Sequence, residues 1–239
     1  MEQAQHPVLG ILGGLGPAAS CYFYQMIIDH TPVSCDQDHI DIVLSSRATT
    51  PDRTAFITGE SPDDPFAIMN RDAQMLVRYG ATVIAIPCNT AHYFFDRLAE
   101  TLSVPVLHMP RLTVRQAKAL GCAKLGILAT TGTVMTEAYQ RMCELEHLEW
   151  ALPTQAEQEL LMQVIYGQIK QGKRADMALF GRVADSLRAQ GCTMAVLGCT
   201  ELSLIKRDEA LDRFFLDSSE VLAKRAIEAC GREPVGFNF

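Results

Sequence analysis

Residues 80–90 read GATVIAIPCNT, and residues 191–201 repeat the pattern as GCTMAVLGCTE. In each copy an apolar run of strand length ends at a cysteine, Cys88 or Cys199, which small polar residues follow. Glycine, threonine and cysteine recur at the same offsets in both copies. One thiol at the matching end of each copy suggests an internally duplicated protein whose chemistry uses two equivalent groups on opposite sides of a substrate.

The duplication extends over the rest of the chain. The tetrapeptide LGIL stands at residues 9–12 and again at residues 125–128. Apolar runs predict strands at residues 8–12, 41–44, 82–86, 104–107, 124–128, 148–152, 193–197 and 214–216. Several of these runs are continuous, which is typical of parallel strands buried on both faces. We therefore predict an α/β fold of two pseudo-symmetric lobes, each with a four-stranded, mainly parallel sheet flanked by helices.

The repeat also predicts how the chain divides. Residues 1–108 together with 217–239 form the first lobe, with Cys88, and residues 109–216 form the second, with Cys199. Ligands of parallel sheets bind beyond the carboxyl ends of the strands. Since both cysteines stand at such ends, we expect them on opposite walls of a cleft between the lobes.

Three segments outside the repeat carry local signals. Asp64 is predicted to cap a helix that has Pro65 at its first position, and Thr154 with Glu157 forms a predicted capping box. Residues 45–63 are polar and lack clear periodicity, which predicts a long loop that includes Arg53. Loops of this length inside compact domains are often functional.

Composition limits the classes of partner. The net charge of −7 argues against nucleic acid or an anionic membrane as the main partner, although a local site for a small anion remains compatible with it. Residues 1–12 lack the features of a signal peptide, and we expect a cytoplasmic protein. The eight cysteines are scattered without metal-binding spacing, so we predict free thiols and no metal site.

A pair of thiols suits proton transfer at a carbon atom. One cysteine removes the proton as a thiolate, while the other returns a proton to the opposite face as a thiol. Each cysteine is predicted to precede a helix, whose free N–H groups favour the thiolate and lower its pKa. Those N–H groups, with the side chains of Asn89, Thr90 and Thr200, are candidates for binding a substrate carboxylate.

The cysteine motifs resemble a known family. PCNTAH at residues 87–92 and GCTE at residues 198–201 are similar to the paired signatures of the aspartate/glutamate racemase superfamily. Motifs in four further segments resemble the aspartate racemase branch, at residues 10–17, 51–54, 128–133 and 165–170. The resemblance implies a racemase that needs no cofactor, uses two cysteines as bases and forms a homodimer.

The resemblance also implies roles for charged residues. The family's substrate-binding arginine and lysine match Arg53 and Lys170, which suit a small dicarboxylic amino acid as substrate. Glu201 stands where glutamate racemases carry histidine. This departure favours the aspartate branch and is expected to remove one proton partner of the cysteine. We place Glu201 among the substrate-binding residues.

Other polar side chains are candidates for support or binding. His92 follows Cys88 by one helical turn and is expected to support it through a hydrogen bond. Thr131 and Thr133, next to Thr130, are candidates for binding a carboxylate, with capping of the next helix as the alternative.

The function predicted from the sequence is racemisation of aspartate or glutamate at the α-carbon, with Cys88 and Cys199 as the catalytic pair. Another two-cysteine enzyme, such as a maleate isomerase, and a non-catalytic dicarboxylate-binding protein are the alternatives. Residues 14–19 weakly resemble a dinucleotide-binding turn, but Pro17 interrupts the fingerprint and no acidic residue ends the next strand. A nicotinamide-dependent enzyme would also leave the second cysteine unexplained.

Overall fold

The computed structural model describes residues 6–239 and contains two four-stranded sheets in which every pair of neighbouring strands is parallel. The strands are β1 (Val8–Gly13), β2 (Asp41–Ser46), β3 (Val83–Ala85), β4 (Val106–Leu107), β5 (Lys124–Ala129), β6 (Glu149–Ala151), β7 (Met194–Gly198) and β8 (Phe215–Asp217). The sheet orders are β2-β1-β3-β4 and β6-β5-β7-β8, so the second sheet repeats the topology of the first. The predicted fold class and each predicted strand are confirmed.

Helices flank both sheets. They are α1 (Pro17–Asp29), α2 (Arg53–Thr58), α3 (Phe66–Arg78), α4 (Phe95–Ala99), α5 (Met109–Ala119), α6 (Thr131–Met135), α7 (Gln140–Leu145), α8 (Gln155–Met162), α9 (Met177–Ala189), α10 (Thr200–Asp208) and α11 (Ser218–Ala229). Short 3-10 helices lie at Asp36–Asp38, Thr90–Phe94 and Ile169–Gln171, and a π-helix lies at Gln163–Gln168. None of the helices in residues 6–239 has both the length and the apolar character of a membrane span.

The predicted helix starts and loop agree with the structure in one case and differ from it in two. The predicted capping box is confirmed, since Thr154 accepts from the N–H of Glu157 and the Glu157 carboxylate accepts from the N–H of Thr154. Helix α3 begins one residue later than predicted, because Pro65 occupies the N-cap position itself. The predicted loop at residues 45–63 contains α2, which is too short to show helical periodicity in the sequence.

The repeated LGIL motif has a packing reason. A Cβ atom added to Gly126 in β5 would lie 2.8 Å from Cδ1 of Leu187 in α9. A Cβ atom added to Gly10, at the equivalent position in β1, would lie 2.8 Å from Cβ of Ala81 and 3.4 Å from Cβ of Leu76 in α3. Gly126 therefore lets a side chain of the covering helix α9 approach β5, and Gly10 leaves room for Ala81 and for Ile84 of the neighbouring strand β3.

Helices α5 and α11 pack against each other and contribute to the hydrophobic cores of both sheets. Leu222 of α11 belongs to the core of the first sheet, while Val221 of α11 and Val114 of α5 belong to a core of the second sheet. The division into residues 1–108 plus 217–239 and residues 109–216 stays a prediction. Its first five residues lie outside the described part of the chain.

Substitution of Gly126 by alanine tests the close packing. We expect Gly126→Ala to lower the free energy of unfolding by about 1–3 kcal/mol, because the methyl group overlaps Leu187. Urea unfolding measures the change. The control is Gly181→Ala in α9, where a Cβ atom meets nothing within 4 Å and alanine should stabilise the helix by up to about 1 kcal/mol. Equal stability of Gly126→Ala and the wild type would contradict this account of the motif.

Candidate active site

A small cavity lies at the carboxyl ends of the central strands of both sheets. Its lining consists of Leu15, Asp52, Arg53, Thr54, Cys88, Asn89, Thr90, Thr130, Tyr166, Lys170, Cys199, Thr200 and Glu201. Both cysteines are buried, Cys88 with 7% and Cys199 with 5% of its surface exposed. The topology therefore brings together two thiols that are far apart in the sequence. Within residues 6–239, no group of three or more His, Cys, Asp or Glu side chains is arranged to hold a metal ion.

The two cysteines stand before different kinds of helix. Cys199 directly follows β7 and is the N-cap residue of α10, so the predicted helix start is confirmed there. Cys88 is followed by Asn89, the N-cap residue of the 3-10 helix Thr90–Phe94. This 3-10 helix continues directly into α4, so the helical segment after Cys88 begins with a 3-10 turn and the one after Cys199 with an α-helical turn.

Cys199 is paired with a carboxylate. Its Sγ donates a hydrogen bond of 2.9 Å to Oε2 of Glu201. Burial and the negative charge of Glu201 together raise the pKa of the Cys199 thiol well above its usual range, in spite of the opposing charge of Lys170. The prediction that the helix start lowers this pKa is therefore wrong for Cys199, because desolvation outweighs the dipole. Cys199 carries its proton at neutral pH.

Glu201 connects Cys199 to Lys170. The second carboxylate oxygen of Glu201 lies 3.3 Å from Nζ of Lys170, whose side chain is 22% exposed. Burial acts to lower the pKa of Lys170, but the charges of Glu201 and Cys199 raise it above its usual value, so the ammonium stays charged. We expected the loss of histidine at position 201 to remove a proton partner. The carboxylate instead takes that place, and it contacts the thiol directly.

Arg53 is a buried cation held by backbone carbonyls. The guanidinium donates to the carbonyl oxygens of Leu15 at 2.6 Å and Pro51 at 3.0 Å. Its Nε is buried without a hydrogen-bond partner, and no carboxylate of the described residues lies within 4.0 Å of the group. A buried cation without a counter-ion is costly, so this wall of the cavity favours an anion.

His92 lies behind Cys88 and does not line the cavity. Its Nε2 accepts a hydrogen bond of 3.0 Å from the backbone N–H of Met109, and its Nδ1 lies 2.9 Å from the carbonyl oxygen of Cys88. Since a backbone amide only donates, Nδ1 carries the proton and donates to Cys88. Burial lowers the pKa of His92 to about 3, which keeps the ring neutral. This geometry fits the expected supporting position.

The threonine hydroxyls form a buried triangle. Thr90 lies 2.9 Å from both Thr130 and Thr133, which lie 3.0 Å from each other. Thr130 caps α6 by accepting from the N–H of Thr133, so the capping alternative applies to Thr130. Thr133 and Thr131 are not part of the cavity lining, and the N–H of Thr131 donates to Sδ of Met162.

Sequence reasoning missed three polar residues of the cavity, which are Asp52, Thr54 and Tyr166. The hydroxyl of Tyr166 donates to the carboxylate of Asp52, with 3.2 Å to each oxygen, and joins the π-helix to the start of α2. Asp52 stands one position before Arg53, and Tyr166 stands four positions before Lys170, so both lie in segments that resemble the racemase motifs. Asp52 is indistinguishable in the sequence from an ordinary helix cap, and Tyr166 from a residue of an apolar helix face.

A wider opening of about 510 Å³ adjoins the cavity and shares with it Leu15, Asp52, Arg53, Lys170 and Glu201. The segment after β1, including Gly16, forms the rim on one side. This opening connects the cavity to the surface and gives a small molecule a path past the two cations.

The family of the chain follows from its match to known sequences. Residues 12–226 match the profile of the family described as Asp/Glu/Hydantoin racemase. The chain belongs to this racemase family. It is thus an isomerase of the racemase type, and its fold agrees with that of solved family members.

Individual relatives of this racemase cover most of both chains. The broad specificity amino-acid racemase RacX of Bacillus subtilis is 26% identical over 229 residues, which is 92% of this chain and 96% of the relative. An aspartate racemase of Picrophilus torridus has a TM-score of 0.84 and 26% identity, and the match covers 96% of each chain. A glutamate racemase of Francisella tularensis, solved with D-glutamate, has a TM-score of 0.65 at 18% identity, over 94% of this chain and 81% of its own, which shows a shared fold.

The neutral His92 predicts an acid-dependent stability of this racemase. An unfolded histidine takes up a proton below pH about 6.5, whereas folded His92 does so only near pH 3. As the pH is lowered through this window, the free energy of unfolding therefore decreases, by about 2 kcal/mol between pH 7 and pH 5. Urea unfolding at both pH values measures it. His92→Gln should remove this pH dependence, whereas His147→Gln, at an exposed position, should retain it; the reverse pattern would contradict the assignment.

Glu201 is predicted to control the protonation of Cys199. Glu201→Gln removes the negative charge beside the thiol and leaves Lys170 in place, so the pKa of Cys199 should fall. The pH dependence of alkylation at Cys199, followed by peptide mass spectrometry, gives the midpoint. The control is Glu209→Gln at the exposed end of α10, which should leave the midpoint where it is. An unshifted midpoint in Glu201→Gln would contradict the pairing.

Proposed function

We propose that this racemase inverts the α-carbon of a small dicarboxylic amino acid, aspartate in the first place and glutamate as the second candidate. Cys88 and Cys199 act as the opposed acid and base, without pyridoxal phosphate or another cofactor. One observation carries the proposal: the thiols that end β3 and β7, which are equivalent strands of the two sheets, line the same small cavity.

Inversion in both directions requires each thiol to act in turn as the acid and as the base. In one direction Cys88, as the thiolate, takes the α-proton, and the Cys199 thiol donates its proton to the opposite face of the carbon. The reverse direction requires Cys199 to be the thiolate, and Glu201, 2.9 Å from Sγ, is the acceptor for its proton. Lys170 beside Glu201 stabilises the negative charge that this exchange moves between thiol and carboxylate.

The charges of the cavity support an anionic amino acid. Arg53 has a buried donor to spare, and Lys170 supplies a second cation, so together they suit two carboxylates. The half-buried Asp52 suits the substrate ammonium group. The N–H groups at the start of α10, with Thr200, and the Asn89–Thr90 segment suit the α-carboxylate, whose negative charge grows when the α-proton leaves.

The similarity to the Picrophilus aspartate racemase favours aspartate, and the similarity to the broad specificity racemase of Bacillus keeps other amino acids in the test. We further propose a homodimer, as the family resemblance implies, and a cytoplasmic location, as the sequence analysis suggests. Sedimentation velocity measures the oligomeric state.

The test is racemisation of a panel of amino acids, followed by chiral chromatography, together with deuterium uptake at the α-carbon in heavy water. We expect inversion of aspartate or glutamate and exchange at the α-carbon of that substrate. If no amino acid in the panel exchanges its α-proton, the racemase proposal fails and a binding function gains support. Interconversion of maleate and fumarate would instead favour the isomerase alternative.

The cysteines are tested by replacement. Cys88→Ser and Cys199→Ser should each lower kcat for inversion by about 10²–10⁴-fold, since each removes one partner of the proton transfer. Cys35→Ser, at an exposed position outside the cavity lining, is the matched control and should keep wild-type turnover. Near-normal turnover of either cavity variant would rule out the two-base scheme. Circular dichroism checks that all three variants fold.

A further inference from the structure

Tyr139 contacts the chain neighbours of both cysteines. The residue stands just before α7 and is fully buried. A Cβ atom added to Gly198, the residue before Cys199, would lie 3.0 Å from Cε2 of the Tyr139 ring, so the ring packs against the Gly198 backbone. The Tyr139 hydroxyl donates a hydrogen bond of 2.5 Å to Oδ1 of Asn89, the residue after Cys88.

The hydrogen bond to Asn89 continues to the second sheet. The side-chain amide of Asn89 donates to Oγ of Ser218 at 3.1 Å, and Ser218 donates to the carbonyl oxygen of Leu197 at 2.7 Å. Leu197 lies in β7, two residues before Cys199. A chain of buried hydrogen bonds therefore runs from the segment of Cys88 to the strand of Cys199, and Tyr139 touches it at both ends.

Packing alone does not explain the hydroxyl of Tyr139. A phenylalanine ring would fill the same space against Gly198 without a polar atom to bury. A buried hydroxyl is costly unless it is hydrogen-bonded, and Tyr139 has its bond to Asn89. The hydroxyl therefore fixes the orientation of the Asn89 amide, and with it the backbone next to Cys88.

We propose that Tyr139 is a positioning residue that sets the separation of Cys88 and Cys199 through the Tyr139–Asn89–Ser218–Leu197 hydrogen-bond chain. The inference rests on the proposed two-cysteine racemase function. It assigns to Tyr139, which is outside the cavity lining, control over the return of the proton through the placement of the two cysteines.

The separation of the two thiols determines which of them protonates the carbanion that forms when Cys88 removes the α-proton. Breaking the Cα–H bond leaves its electron pair on the substrate and forms the S–H bond of Cys88. A correctly placed Cys199 then donates its proton to the other face, which gives inversion. If Cys199 is displaced, the carbanion persists long enough for the Cys88 thiol to exchange with solvent, and proton return from Cys88 gives exchange with retention.

Tyr139→Phe tests how the carbanion divides between inversion and exchange with retention. We expect kcat for inversion to fall about ten- to hundredfold, as for a displacement of order 1 Å between reacting groups. In heavy water, the ratio of deuterium in the recovered starting enantiomer to deuterium in the product should rise. Loss of stability alone would lower both signals equally and leave the ratio unchanged. The control is Tyr79→Phe at an exposed position, which should match the wild type.

Ser218→Ala breaks the same chain at a second link and should raise the same ratio, which keeps the test valid if Tyr139→Phe does not fold. A crystal structure of the variant that folds gives a readout independent of turnover. We expect a changed distance between the two Sγ atoms. An unchanged ratio, or an unchanged Sγ–Sγ distance, overturns the inference. Absence of any exchange in the wild type overturns the proposed function instead, and the Sγ–Sγ distance still decides the role of Tyr139.

Discussion

The parallel pairing of the strands is the constraint on which the site depends. Parallel strands of one sheet all end at the same edge, so a residue that follows a central strand lies near the other loops of that edge. Cys88 and Cys199 follow β3 and β7, which pair with β1 and β5 in matching positions of the two sheets. Two edges that share one cavity bring the repeated cysteines together. Gly126 serves the same geometry, because it lets α9 pack closely on β5.

The cavity is lined by equal numbers of positively and negatively charged side chains. Arg53 and Lys170 bring two positive charges to a region with little water, and Glu201 and Asp52 bring two negative ones. Only Lys170 and Glu201 pair directly, while Arg53 relies on backbone carbonyls and Asp52 on a tyrosine hydroxyl. The arrangement leaves donors and an acceptor for a zwitterionic ligand that carries an extra carboxylate. This balance also explains why Cys199 retains its proton, since the nearest charge to its sulfur is negative.

The charged and polar side chains of the cavity come from separate segments of the chain. Asp52 and Arg53 begin α2, Tyr166 and Lys170 belong to the π-helix and the 3-10 turn after it, and Glu201 belongs to α10. A π-helical turn is uncommon and widens the helix locally. Here it accompanies a segment whose side chains reach Asp52 on one side and Glu201 on the other.

The sequence alone determined the fold class, the position of each strand and the two cysteines as the central pair. These features depend on local apolar runs and on a repeat, both of which are visible without coordinates. It did not determine the state of the Cys199 thiol, the pairing of Glu201 with Cys199 and Lys170, or the place of Asp52 and Tyr166 in the cavity. Those properties depend on burial and on contacts between segments far apart in the chain, as between Tyr166 and Asp52. The sign of a pKa shift follows from the competition between desolvation and neighbouring charge, which only the folded chain decides.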